Sequence, residues 1–129
     1  MANTLGNPTL ISDKARENQI LSFNTSLTSE PVIANPLLRV RAGSVTLVDF
    51  PLDPTTPFLG AAGDGSAAFN FVSASVLATG GTASLPTNYQ VLGRDNAVHL
   101  SGAFLTATDP ITVGQNVSAA SVSATAPAS

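Results

Sequence analysis

Between Pro36 and Gly114, glycines and prolines cut the chain into short apolar runs, and this punctuation is the strongest limit on what it can become. Runs of that length, bounded by turn residues at regular spacing, suit the strands of a β-sandwich far better than helices. Leu38-Arg39-Val40-Arg41 alternates apolar with cationic, which lets one face bury while both arginines point outward. Val45-Thr46-Leu47-Val48-Asp49-Phe50 is apolar on both parities, the pattern of a strand covered on two sides.

Pro51, Pro54 and Pro57 then forbid regular pairing, so the segment through Gly65 reads as a long loop carrying Phe58 and Leu59. Strand patterns resume at Phe69-Asn70-Phe71 and Ala74-Ser75-Val76-Leu77 and pause at Gly80-Gly81. Tyr89 to Leu92 and Val98 to Phe104 flank Gly93-Arg94-Asp95-Asn96, the residues of a hairpin turn. On the second of these strands Val98, Leu100 and Phe104 are expected to share a face, opposite His99 and Ser101. Ile111 to Val113 and Val117 to Thr125 complete the set, the last a low-bulk strand that could lie close to another backbone.

The N-terminal part differs. Ser12 is a good helix N-cap before Asp13-Lys14-Ala15-Arg16-Glu17, and Ile20, Phe23 and Leu27 fall on one helical face. One amphipathic helix over 12–27 is predicted, ended by Thr28-Ser29-Glu30-Pro31; an extended arm is the rival, because Asn24, Thr25 and Ser26 are poor helix formers. The expected organisation is an arm and short helix over residues 1–35 and a mainly β, antiparallel sandwich over 36–129.

Charge is scarce: 10% of residues are charged, against about 25% in an ordinary soluble domain. Ala, Ser, Thr, Gly and Asn stand where Lys and Glu would usually be. Such a surface repels neighbours weakly and strips few ions of water when covered, which suits a protein contacted on several sides. The cations Lys14, Arg16, Arg39, Arg41 and Arg94 form no stripe, and with a net charge of −3 nucleic acid is not an expected partner. No cysteine is present, which removes disulfides and thiolate chemistry. The N-terminal residues lack the basic and apolar regions of a secretory signal, and no apolar run is long enough for a membrane helix, so cytoplasmic synthesis without a membrane partner is expected. The Asn24 and Asn116 sequons are then read as chance.

No catalytic constellation emerges. Ser101, His99 and Asp95 could nominally form a hydrolase triad, yet Ser101 and His99 lie two apart on one strand with no oxyanion turn nearby. Asp49 and Asp53 flank Pro51, and Asp53, Asp64 and Asp109 have turn roles. No stretch supplies three acids in calcium-loop register, and neither Gly-rich piece leads into a helix as a phosphate cradle does. No cofactor, no metal and no enzymatic activity are expected.

Several pieces, taken in order, carry a resemblance: Met1 to Leu5, Leu37-Leu38-Arg39-Val40-Arg41-Ala42-Gly43, the Leu47 to Asn70 block, Ala78-Thr79-Gly80-Gly81-Thr82-Ala83, Tyr89 to Asn96, Ser101-Gly102, and Ile111 to Ala119. This order, covering most of the chain, resembles small structural proteins of tailed bacteriophages. The chain departs from the pattern where Leu85-Pro86-Thr87-Asn88 interrupts the approach to Tyr89 and where Gln90 replaces a common arginine. The resemblance implies a β-sandwich, with a jelly-roll-like arrangement as one form, and a place in the virion as a capsid decoration or cement protein. Its partners would be the major capsid protein and copies of itself, as a dimer or trimer. Leu5, Phe58 and Leu59, in segments without regular strand pattern, and Val32 and Ile33 in the linker, are the candidate interface anchors. A tail or neck component and a host-facing glycan-binding module are the alternatives.

Overall fold

The alternation in Leu38-Arg39-Val40-Arg41 sets up the main sheet. A computed structural model describes residues 3–6, 10–60, 67–104 and 107–118. Within them β1 (Leu37–Ala42) pairs antiparallel on one side with β2 (Val45–Pro51). On its other side β1 pairs with β6 (Asn88–Leu92), which turns back into β7 (Val98–Ala103), giving the order β2-β1-β6-β7. Two ribbons accompany this sheet, β3 (Phe58–Gly60) with β4 (Ala67–Phe69) and β5 (Ser75–Leu77) with β8 (Asn116–Ser118). The fold is mainly β and antiparallel, as the spacing predicts.

One face of the sheet makes the core. Leu38 stands in register with Phe50 and Val91, and Val40 with Val48 and Tyr89; all are buried. Fully burying a side chain of this size contributes about 1.5–3 kcal/mol over leaving it exposed. The opposite face carries a polar row, Asp49–Arg39–Gln90–Ser101, in which Arg39 Nε and Nη2 donate to the two Asp49 oxygens at 2.9 and 3.2 Å. That bidentate pair, chiefly through its hydrogen bonds, raises the pKa of Arg39.

Two β-bulges alter the expected faces. Val40 pairs with Val48 but Arg41 with Thr46, so Leu47 is an extra residue in β2. This bulge, and not a strand covered on both faces, lets Leu47 and Val48 enter the same core. The Leu47 carbonyl is left to accept N–H groups from Thr79 (2.8 Å) and Gly80 (3.2 Å). Glycine is needed at 80 and 81, since a Cβ at Gly80 would collide with the Thr46 carbonyl and one at Gly81, where φ is +101°, would lie 2.6 Å from the Ile111 carbonyl. In β7, Val91 pairs with Leu100 and Leu92 with Val98, making His99 the extra residue. Val98 therefore does not share the core face with Leu100 and Phe104; it is exposed, while those two pack against the core.

The predicted helix begins as expected, with the Ser12 hydroxyl accepting from Ala15 N–H at 3.2 Å. It divides into α1 (Asp13–Leu21) and α2 (Phe23–Leu27). Ser22, at the junction, bonds its hydroxyl to the Gln19 carbonyl at 2.6 Å, the local competition for backbone groups that serine brings to helix interiors. Thr28 and Ser29 do the same to the carbonyls of Asn24 and Thr25 where the helix stops. Ile20 and Leu27 join the core cluster of the sheet, so the boundary at residue 35 marks a change of secondary structure and not a second core.

The Pro-rich segment is more ordered than a long loop. Asp53 caps a turn by accepting from Thr55 and Thr56 N–H at 2.9 and 2.8 Å, and Leu52 bridges to Phe71. Pro57 and Phe58 are fully buried, Phe58 at the start of a strand where three residues free of proline suffice for pairing. Residues 61–66 lie outside the described residues, as do 119–125 of the strand expected from Val117; Ile111 makes only an isolated bridge to Ser84.

Candidate functional site

Of the five candidate anchors, four are on the surface and one is not. Leu5 is 94% exposed, Ile33 65%, Val32 50% and Leu59 46%. Phe58 is a correction: it is fully buried, with its ring 4.9 Å from that of Phe69, and can contact no partner. Phe58 and Leu59 are adjacent on one strand and must face opposite ways, so burying the first presents the second.

Hydrogen bonds tie the backbone at or next to three of these side chains. The N–H groups of Ile33 and Ala34 both donate to the Arg94 carbonyl, at 2.6 and 3.1 Å, which straps the linker across the β6–β7 turn. Arg94 N–H in turn donates to the Leu27 carbonyl at 2.8 Å. At the other side of α2, the Asn24 side chain accepts from Phe58 N–H at 2.8 Å and donates to the Phe58 carbonyl at 3.1 Å. Helix α2 therefore ties β3 to the turn, and Leu59, Val32 and Ile33 are displayed on the tied segments. Val98, 47% exposed at the end of the same turn, joins them. Parity missed it, because a bulge leaves no mark in composition. Val45, Val72, Leu77, Leu85 and Val113 are also exposed, and of these Val45, Leu77 and Val113 lie in runs with strand patterns.

The nominal triad is brought together only in part. His99 Nε2 lies 2.9 and 3.0 Å from the two Asp95 oxygens. Asp95 also accepts from Ala97 N–H at 3.2 Å, and His99 foremost, then Ala97, hold its carboxyl below the usual range. A Cβ at Gly93 would lie 2.9 Å from both Asp95 Oδ1 and His99 Cδ2, so the Asp95–His99 contact closes over bare glycine. Ser101 takes no part: it is exposed, in register with Gln90, and bonds neither residue of the pair. The arrangement locks a hairpin turn and supplies no nucleophile.

A cleft of about 420 Å³ is lined by Pro86, Phe104, Asp109, Ile111, Gln115 and Asn116 among others. Asp109 is the one ionisable group among its described lining residues, so no acid–base pair forms there. Among the described residues no three His, Asp or Glu side chains converge on a point where a metal could sit. No described helix is long and apolar enough to cross a membrane.

The chain matches no family model, no curated protein and no solved structure.

Proposed function

We propose that this protein is a non-enzymatic structural component of a virus particle, a decoration or cement protein that binds the exterior of a bacteriophage capsid and bridges capsomers. The observation that carries this reading is the display of Val32, Ile33 and Leu59: large apolar side chains exposed on, or next to, backbone tied by hydrogen bonds. Anchors fixed before contact lose little conformational freedom on binding. The scarcity of charge around them keeps the desolvation cost low. Self-association and repetition over a symmetric shell would turn individually weak contacts into avidity. The phage assignment rests on the motif order from Met1 to Ala119.

Imaging of particles that carry the protein tests this. Density repeated over the shell lattice is the expected result; a single ring at one vertex or along the tail would overturn the capsid reading in favour of a neck or tail component.

A second reading has one observation in its favour. The cleft brings Phe104, Asp109, Gln115 and Asn116 together, the aromatic, acid and amide groups that hold sugars. Specific glycan binding lost on Asn116→Ala would establish it over the first.

A further inference from the structure

We infer that the outer edge of β7 pairs antiparallel with β7 of a second copy of this chain, about a two-fold axis at Ser101. This deepens the assembly proposal by naming its self-contact, and rests on that proposal only for the role that the pair would serve.

The two edges of the main sheet are treated differently by the chain. Along β2 both ends of the edge are covered: Thr79 and Gly80 donate to the Leu47 carbonyl, Val72 N–H donates to the Pro51 carbonyl at 3.0 Å, and Leu52 bridges to Phe71. Along β7 nothing comparable exists among the described residues. Gly93 N–H donates to Ala97 at one end of the hairpin and Phe104 N–H to Thr87 at the other. Since hydrogen-bonded and non-bonded pairs alternate in antiparallel strands, Leu100 and Gly102 bond inward to Val91 and Tyr89. The N–H and C=O groups of Ser101 and Ala103 then point outward, both residues are exposed, and no described group bonds to them.

An unpaired edge is a template for another strand, and chains usually blunt it with lysine, proline or inward charge. Strand β7, Val-His-Leu-Ser-Gly-Ala, has none of these, and its one titratable group, His99, is tied to Asp95. Its bulge sits at the turn end and leaves Leu100 to Ala103 regular.

A second copy fits this edge because the strand complements itself. With the axis at Ser101, the two Ser101 residues form a bonded pair, exchanging N–H and C=O, and Ala103 comes opposite His99 of the copy. On the core face, Leu100 comes opposite Gly102, in a non-bonded pair whose side chains approach most closely. Gly102 offers no side chain there; the Tyr89 ring lies over it, where a Cβ would be 2.7 Å from the hydroxyl. Leu100, half-buried in one chain, would thus lie against the bare backbone of Gly102 in the other. On the polar face, the row Asp49–Arg39–Gln90–Ser101 would continue into its own mirror order, with no like charges brought face to face.

The test uses the full chain. Its mass by light scattering is measured at about 0.1 mM, a concentration at which even a contact of small area is populated. A dimer is expected for the natural sequence and a monomer for Ser101→Pro and Ala103→Lys, with far-UV circular dichroism unchanged. Proline at 101 removes only an outward N–H and so spares the β6–β7 ladder. Because the chain has no cysteine, Ser101→Cys gives a second readout: a bonded pair holds its Cα atoms about 5.5 Å apart, within disulfide range, so oxidation should yield covalent dimer while Thr82→Cys yields little. A monomer at this concentration would overturn the inference, as would a dimer unaffected by Ser101→Pro with no disulfide through Ser101→Cys. Dimerisation seen only after removal of residues 119–129 would overturn it too, by making that segment the occupant. Shell decoration by a monomeric Ser101→Pro variant would separate the capsid proposal from this one.

Discussion

The side-chain amide of Asn24 bonds both the N–H and the C=O of Phe58, serving β3 as a neighbouring strand would. Both Phe58 groups are thereby satisfied at a partly buried position where water could replace Asn24 only poorly. Asn24→Ala would leave a donor and an acceptor unmet, at a cost of about 1–3 kcal/mol. Asn24→Asp would keep the acceptor but set a carboxylate oxygen against the Phe58 carbonyl, with at least as large a loss at neutral pH. Urea unfolding of the two variants, with unchanged slope, checks the order.

Phe58 and Leu59 should separate stability from assembly. Phe58→Ala empties a fully buried site beside Phe69 and is expected to cost about 3–5 kcal/mol. Leu59→Ser and Ile33→Ser change exposed side chains and should shift stability by less than about 0.5 kcal/mol. The two exposed variants, and not a refolding defect, should lower occupancy on capsids; equal occupancy at matched concentration would remove these residues from the contact.

The crossing of residues 79–81 over the β2 bulge leaves no room for side chains. Gly80→Ala places a methyl group against the Thr46 carbonyl, and Gly81→Ala adds a strained positive φ. Each should lower the melting temperature, by about 1–3 kcal/mol of stability for a forced backbone shift. Both should also speed amide exchange at Thr79, whose N–H is held by Leu47.

Acid should loosen two turns together. The Asp53 carboxyl is held below its ordinary range by the Thr56 and then Thr55 N–H groups, and that of Asp95 by His99 and then Ala97. A carboxyl with a lowered folded pKa stabilises fully only above its unfolded value, about 3.9, and that contribution is lost as pH falls through the folded value. Stability should therefore fall below about pH 5, and Asp53→Asn or Asp95→Asn should each flatten that fall. Parallel melting curves for the natural chain and both variants across this window would remove the two turns as its source.

Local chemistry was legible in the sequence wherever it was carried by neighbouring residues. Alternation in Leu38 to Arg41, the Gly93 to Asn96 turn and the Ser12 cap each depend on positions a few apart, and each forms as read. The bulges at Leu47 and His99 were not legible, since an extra residue changes register without changing composition. Asn24 shows in the sequence only as a weak helix former, and its bond to a strand 34 residues away has no local signature. For the candidate site, the exposure of Val32, Ile33 and Leu59 followed from their setting among turn residues. The choice between Phe58 and Leu59 did not, because only the pairing of β3 decides which of two neighbours turns inward.

The bonding of Thr79 and Gly80 to the β2 edge has a consequence for growth. A sheet with two open sides can add copies without end and becomes a fibre. With both ends of β2 bonded by its own chain, the β7 pairing inferred above would stop after a single addition and give a finite particle of fixed size. For a protein with so little surface charge to hold its copies apart, such a stop would separate orderly assembly from precipitation.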